Sequence, residues 1–190
     1  FHGELAAFRK QLLEELNGFP TDIGADDSHT ATGIAILGYR AIIPEDVVAV
    51  ELVPEEGYGM WRVRRAQHLV QHFAKVLRLR PLKTLGGFKM ILIVELLLHL
   101  LNPWLLIATV VLLMASALAE GSPVATALLA AGLALMYIRE FRTWITIQLI
   151  LVIALIRNLW TRELVWIKSA KVVEAKRVLM SFAETGKDNV

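Results

Sequence analysis

Three stretches of the chain differ in how apolar and polar residues alternate. In the first, residues 1–56, the segments ELAAF and YRAII predict β-strands, whereas RKQLLEEL and DDSHTATGIAILG predict short helices. We therefore expect an α/β fold for this stretch. Two helices and two strands bury too little apolar surface for a stable domain, so the sheet is expected to be completed by a part of the protein that precedes residue 1.

The second stretch, residues 57–84, has the pattern of a basic amphipathic helix. Basic residues and histidines surround an apolar side made of Ala66, Leu69, Val70, Phe73 and Leu77. Such a helix beside a membrane segment is typical of one that lies in the cytoplasmic headgroup layer. A solvated helix face and a nucleic-acid patch are the alternatives. The adjoining apolar run favours the membrane surface, so no nucleic-acid partner is expected.

The third stretch, residues 85–160, is apolar enough to lie in a bilayer. Residues 90–119 carry one formal charge, at Glu95, and a membrane span needs about 20 apolar residues. Because Asn-Pro favours a turn, Asn102 and Pro103 predict a tight hairpin between two spans rather than one kinked helix. Four spans would return the basic tail, residues 161–190, to the cytoplasmic side of the basic helix. Three spans are the alternative.

Two ionisable residues lie within the first predicted span. Glu95 and His99 are four residues apart, which places them on one face of a helix. Ionisable groups inside a membrane are costly and usually face a protein interior or a wet cavity. The two side chains therefore either line a path for a substrate or pair with each other. They do not make a zinc site, which needs more ligands.

Composition agrees with a membrane protein. The 190 residues are 56% hydrophobic and have a mean hydropathy of +0.54, whereas soluble domains are about 45–50% apolar. Charge is divided unevenly, because residues 1–56 hold 11 acidic against 3 basic residues and residues 57–190 hold 7 against 17. The sequence has no cysteine, which excludes disulfides, thiolate metal sites and a cysteine nucleophile.

The adjacent carboxylates Asp26 and Asp27 have two interpretations. A carboxylate at the start of a helix accepts hydrogen bonds from free backbone N–H groups, and its charge suits the helix dipole. A positioned carboxylate can also take a proton from a reacting hydroxyl group. The pair alone does not decide between a helix cap and a catalytic base.

The order of the motifs resembles the second half of membrane-embedded family 2 glycosyltransferases, the group that contains cellulose, chitin and hyaluronan synthases and ceramide glucosyltransferase. In that family a small-residue acceptor segment precedes an acidic pair, a helix and Gly-Tyr or Gly-Trp follow, and a (Q/R)xxRW motif lies on an interface helix. Here FHGE, DD, GY and RVRRA occur in that order. Ala66 stands where the family usually carries Trp, which favours transfer of one sugar over synthesis of a polymer.

The resemblance implies a role for each matching residue. Residues 1–56 would be the C-terminal part of a GT-A type catalytic domain, with Asp27 as general base beside Asp26. Such an enzyme needs a base because an acceptor hydroxyl is a poor nucleophile, and it needs cations because a nucleotide diphosphate leaves with negative charge. The residues implied in binding the donor diphosphate or the acceptor are Arg62, Arg65, Gln67, His2, Gly3 and Glu4.

The resemblance also implies cofactors and partners. Mg²⁺ or Mn²⁺ is expected, bound mainly by a DxD motif in an N-terminal half of the enzyme and not by residues of this chain. The expected partners are that half, a nucleotide-sugar donor, a lipid or saccharide acceptor and the bilayer. The enzyme would invert the sugar and would be an integral membrane protein with its catalytic part and C-terminal tail in the cytoplasm. The rival interpretation is a non-catalytic membrane scaffold or transporter subunit that binds anionic lipid.

Overall fold

The computed structural model describes residues 6–42, 54, 57–78 and 87–161. Within these ranges the chain forms helices and a π-helical turn, and it contains no β-strand. The elements in chain order are α1 (Lys10–Glu15), α2 (Asp26–Ile36), α3 (Tyr58–Arg78), α4 (Gly87–Leu96), the π turn (Leu97–Leu101), α5 (Asn102–Ala119), α6 (Pro123–Leu135) and α7 (Arg139–Arg157).

The α/β prediction is wrong for the described residues, whereas both predicted short helices are present as α1 and α2. Residues 6–8 and 39–42, which fall in the two predicted strands, have no regular secondary structure. A strand forms its hydrogen bonds with a neighbouring strand, and the described part of the chain supplies none. The other residues of those two segments lie outside the described ranges. The described fold is therefore helical.

Helix α3 is buried around much of its circumference, because α2 packs on one part of it, and α7, the π turn and α4 pack on others. Ala66 and Val70 form a core cluster with Leu151 and Ala154 of α7. A second cluster joins α3 to α4 and contains Phe73, Val76 and Leu92. The prediction of one apolar side is only partly met, since Leu77 is exposed and the polar residues Gln67, His68 and His72 are buried.

The hairpin predicted at Asn102-Pro103 is wrong, because the chain stays helical from Gly87 to Ala119. Pro103 has no N–H to bond the carbonyl of His99, and its ring crowds that carbonyl. The helix accommodates the proline by widening, and the N–H of Asn102 donates to the carbonyl of Leu97, five residues back. A π turn thus replaces the expected reversal of the chain.

The chain reverses instead between α5 and α6. Gly121 has a φ of +63°, a conformation that glycine adopts without steric cost. Ser122 then caps α6, its Oγ accepting a hydrogen bond from the N–H of Ala125 at 3.3 Å. Helices α5 and α6 pack side by side after this turn.

One helix in the described part of the chain, Phe88–Ala119, is long and apolar enough to cross a bilayer. Helices α6 and α7 pass the same test only as a pair bent by 104°. The described residues therefore hold fewer candidate spans than the four, or three, that the sequence predicts. Only 6% of the most apolar window of the long helix is buried inside the protein, and such a large exposed apolar surface indicates contact with lipid or a partner.

Candidate functional site

A cavity of about 400 Å³ is lined by the start of α2, the first half of α3, the π turn and α7. These elements are far apart in sequence, so the cavity exists only because α3 packs against both α2 and α7. The residues that line it are Gly24, Ala25, Asp27, Ser28, Tyr58, Trp61, Arg62, Arg65, Ala66, His68, Leu69, His99, Ile147, Ile150 and Leu151.

Asp27 lies in the first turn of α2, is half-buried and faces the cavity. Its Oδ1 accepts a hydrogen bond from the N–H of Ser28 at 2.6 Å. Its Oδ2 has no hydrogen-bond partner among the described residues. The N-cap residue of α2 is Ala25, which has no side-chain cap, so Asp27 Oδ1 serves the first turn of the helix by accepting from the N–H of Ser28. One carboxylate oxygen is anchored, and the other remains available to a ligand.

Asp26, the other member of the pair, is exposed and is not among the residues that line the cavity. Its carbonyl oxygen accepts a hydrogen bond from Thr30 Oγ1 at 2.7 Å. Its negative charge in the first helical turn suits the dipole of α2. The structure therefore separates two neighbouring carboxylates that the sequence presents as a pair.

Close packing at Gly24 holds the start of α2 against α3. The N–H of Gly24 donates to Gln71 Oε1 at 3.0 Å. A Cβ atom at this position would lie 2.3 Å from Cδ2 of His68, a distance at which one of the two must move. An ion pair between Asp22 and Lys75 adds a further link between the same segments. These contacts fix the position of Asp27 relative to α3.

Arg62 and Arg65 place two guanidinium groups on the α3 wall of the same cavity. The Cζ atom of Arg62 lies 5.6 Å from the ring centroid of Tyr58, and that of Arg65 lies 4.9 Å from the ring of Trp61. The two aromatic rings stack on each other with centroids 5.6 Å apart. Cation–π contacts of this kind orient guanidinium groups, so the cavity combines one carboxylate with two positioned cations.

Among the described residues predicted for the site, Asp27, Arg62 and Arg65 thus meet in the cavity, whereas Asp26 and Gln67 do not line it. Gln67 is fully buried, and its Nε2 donates to the carbonyl of Thr161 at 3.1 Å. Its own carbonyl accepts from Nδ2 of Asn158 at 3.2 Å. Gln67 therefore joins α3 to the end of α7 and does not face a ligand. His2, Gly3 and Glu4 lie outside the described residues.

Sequence reasoning did not assign a site role to Trp61, Tyr58 or His68, which also line the cavity. Trp61 precedes Arg65 by four residues, which places both on one face of α3, and it supplies an aromatic wall although Ala66 occupies the place of the family tryptophan. Tyr58 lies on the same side one turn earlier. No sequence pattern indicated that His68 would lie at the site, because its burial depends on the close approach of Gly24.

Of the two interpretations that the sequence allowed for Glu95 and His99, the structure shows the pairing of their side chains. The Nδ1 of His99 lies 3.2 Å from Oε2 of Glu95. The same ring also lines the cavity, so one member of the pair faces the space where a substrate could lie.

A second pair of histidines lies between α2 and α3. The rings of His29 and His72 meet edge to face with centroids 5.5 Å apart, and His72 Nε2 lies 3.4 Å from Thr32 Oγ1. The pKa of His72 is lowered to about 4, mainly by burial and to a smaller extent by the neighbouring His29. Burial also lowers the pKa of His29. Both rings are therefore neutral at pH 7, and α2 packs on α3 without charge repulsion.

The described residues do not fit a divalent cation at this site. They contain no group of three or more histidine, aspartate or glutamate side chains that could hold a metal ion. Asp27 is the sole carboxylate among the described residues that line the cavity, and the guanidinium groups of Arg62 and Arg65 lie in the same cavity. Mg²⁺ and Mn²⁺ prefer several oxygen ligands, and the arginine charges would oppose a dication there.

Comparison with known proteins gives one informative similarity. No protein-family model and no curated protein matches the chain. Among solved structures, the chain is similar to the mannosyltransferase PcManGT from Pyrobaculum calidifontis, in complex with GDP-Man and Mn²⁺, with 57% sequence identity and a TM-score of 0.73.

The similarity covers 86% of this chain and 46% of the mannosyltransferase, so the chain spans less than half the length of that protein. It supports the prediction of a glycosyltransferase. Assignment to family 2 remains a prediction from the motifs.

Proposed function

We propose that this chain is part of an enzyme that transfers mannose from GDP-mannose to an acceptor hydroxyl group, and that the reaction takes place at the cavity between α2, α3 and α7. The observation that carries the proposal is the meeting of Asp27, Arg62 and Arg65 in one cavity. The 57% identity to a mannosyltransferase in complex with GDP-Man supports the choice of donor.

In the proposed reaction Asp27 is the general base. Its free Oδ2 takes the proton of the acceptor hydroxyl, whose oxygen forms a bond to the anomeric carbon of the donor as the bond to the diphosphate breaks. GDP leaves with the electron pair of the broken bond. A single displacement of this kind inverts the anomeric carbon, and a positioned carboxylate contributes about 10²- to 10⁴-fold to such a step.

Arg62 and Arg65 would bind the diphosphate. A guanidinium group offers a planar fork of N–H donors that matches phosphate oxygens, and fixed cations stabilise the charge that develops on a leaving group. The aromatic contacts of Tyr58 and Trp61 hold both groups in place before the donor binds. A scaffold that only bound anionic lipid would not require a half-buried carboxylate facing the same cavity.

A divalent cation, when bound, would neutralise charge on the diphosphate. The mannosyltransferase to which this chain is similar was solved with Mn²⁺, and we assign the cation to a DxD motif in an N-terminal half of the enzyme. The residues of this chain then act on the acceptor and on the leaving group.

We further propose the membrane arrangement that the sequence predicts. Family 2 membership, residues 1–56 as the C-terminal part of the catalytic domain, α3 as an interface helix, and a cytoplasmic catalytic part and tail all belong to this proposal. The long exposed apolar helix Phe88–Ala119 supports membrane insertion. The packing of α3 directly on α7 and α4 supports a catalytic cavity at the edge of the membrane part.

The test is Asp27→Asn in the full-length enzyme with radiolabelled GDP-mannose and Mn²⁺. Asn keeps the size of the side chain and the bond from Ser28 but does not take a proton at neutral pH. We expect transfer to fall by about 10²- to 10⁴-fold, with the affinity for GDP-mannose and the unfolding temperature nearly unchanged.

Asp26→Asn is the matched control, because it makes the same change one residue away, outside the cavity lining. It should transfer mannose at nearly the wild-type rate. Equal rates for Asp27→Asn and the wild type would contradict the proposed base.

A further inference from the structure

The cavity has a second wall, which comes from the π turn and α7 and not from α2 and α3. His99 of the π turn and Ile147, Ile150 and Leu151 of α7 form it. Ile147 is 42% exposed, so this apolar wall is not sealed inside the protein. The proposed base and the arginines lie on α2 and α3, so the two walls differ in chemistry.

The ring of His99 is held in a defined tautomer. Its Nδ1 lies 2.8 Å from the carbonyl oxygen of Glu95. A carbonyl oxygen only accepts hydrogen bonds, so Nδ1 carries a hydrogen. Nε2 has no hydrogen-bond partner among the described residues, and in the neutral ring it is an acceptor. The ring also stacks on Phe73, with centroids 5.0 Å apart.

The π turn sets the direction in which His99 points. It arises because Pro103 denies the His99 carbonyl its usual helical bond. Asn102 then donates from Nδ2 to Gln148 Oε1 of α7 at 3.2 Å, which ties the turn to the helix that carries the apolar wall. π turns inside α-helices occur frequently at functional sites, since the extra residue re-aims the side chains beside it.

We propose that His99 binds the acceptor, and that the acceptor is a membrane lipid whose head group carries at least two hydroxyl groups. One hydroxyl loses its proton to Asp27, a neighbouring hydroxyl donates to Nε2 of His99, and the hydrocarbon part lies against Ile147 and Ile150. This inference rests on the proposed transfer. A free saccharide would leave its hydroxyl groups unpaired against an apolar wall, which costs free energy.

The test uses full-length enzyme, radiolabelled GDP-mannose and vesicles of the total lipid extract of the organism that encodes it. We expect label in the fraction that organic solvent extracts. His99→Phe keeps a ring to stack on Phe73 but removes the hydrogen-bond acceptor. It should raise the KM for the lipid about 10-fold or more, while the KM for GDP-mannose and the hydrolysis of GDP-mannose by water stay near wild type. His99→Gln, which restores an acceptor oxygen, should recover part of the loss.

A second variant tests the π turn. Pro103→Ala restores the missing N–H and should regularise the helix, which turns His99 away from the cavity and reproduces the loss of His99→Phe. Pro123→Ala is the control, because proline at the first position of α6 causes no distortion, and it should behave as the wild type. Full lipid transfer by Pro103→Ala would overturn the role of the π turn.

The remaining outcomes separate this inference from the proposed function. Label in water-soluble saccharide, or an unchanged lipid KM in His99→Phe, would overturn the lipid acceptor or the role of His99 while the transferase proposal stands. An equal fall of lipid transfer and hydrolysis would show that His99 is only structural. No use of GDP-mannose by the wild type would overturn the proposed function together with this inference.

Discussion

Helices α3 and α5 distribute their side chains in opposite ways. Helix α3 buries the polar residues Gln67, His68 and His72. Helix α5 exposes apolar residues, with Leu112 at 68% and Leu118 at 81% exposure. Helix α3 thus turns polar as well as apolar side chains inward, whereas α5 turns apolar side chains outward.

The difference shows that the two helices lie in different surroundings. A buried polar group costs free energy unless it finds a partner, and Gln67 of α3 donates to Thr161 while His72 lies beside Thr32 and His29. An exposed apolar surface as long as that of α5 is unfavourable in water and favourable in lipid. The buried side of α3 therefore packs as a protein interior does, whereas the exposed apolar side of α5 is suited to contact with lipid or a partner.

The largest expected effect comes from one substitution made at both ends of the long helix. Leu92 is 3% exposed and packs against Phe73 and Val76 of α3, whereas Leu112 is 68% exposed. Leu92→Ala should lower the free energy of unfolding by about 2–5 kcal/mol, and Leu112→Ala should change it by about 0.5 kcal/mol or less. Denaturant unfolding in detergent measures the free energy of unfolding of both variants. Equal losses would contradict the difference in surroundings between the two ends of the helix.

A smaller effect is expected from the pH dependence of the α2–α3 contact. In the unfolded chain His72 has a pKa of about 6.5, and in the folded protein its pKa is about 4. Between these values the unfolded state binds more protons, so stability is full above pH 6.5 and falls as the pH drops toward 4. The loss from His72 is at most about 3 kcal/mol.

Thermal unfolding measured from pH 7.5 to pH 4.5 checks this dependence, with His72→Gln as the comparison. The variant removes the titrating ring, so its unfolding temperature should fall less across the range. His29, whose pKa burial also lowers, lies beside His72, and the other ionisable groups nearby are His99 and the Asp22–Lys75 ion pair. An identical pH profile in the variant would show that His72 does not carry the effect.

Local sequence patterns correctly predicted the two helices of the first stretch, but they also predicted strands that the described residues do not form. Helix α1 stops where predicted, because Asn17 and Gly18 adopt positive φ values of 59° and 86°. The strand predictions failed since strand formation depends on a partner strand, which alternation of residues does not reveal. The hairpin prediction failed because Asn-Pro favours a turn only when the helix has no other means to accommodate the proline, and here the π turn provides one.

For the candidate site, too, local motifs identified some residues correctly but did not reveal contacts between distant parts of the chain. Asp27, Arg62 and Arg65 were identified from short motifs, and the structure brings all three to one cavity. Gln67 was assigned to the site by the resemblance alone. Its orientation is set by Thr161, which is 94 residues away in the chain, and by Asn158. Contacts over such a separation follow from helix packing, which a single sequence does not specify.

The most direct test of the proposed site is an experimental structure of the full-length enzyme with GDP-mannose and Mn²⁺ bound. We expect diphosphate oxygens within hydrogen-bonding distance, about 2.7–3.2 Å, of the guanidinium groups of Arg62 and Arg65. The anomeric carbon should face the carboxylate of Asp27 across the cavity. A donor bound elsewhere, with neither arginine in contact and Asp27 remote from the sugar, would contradict the proposed site.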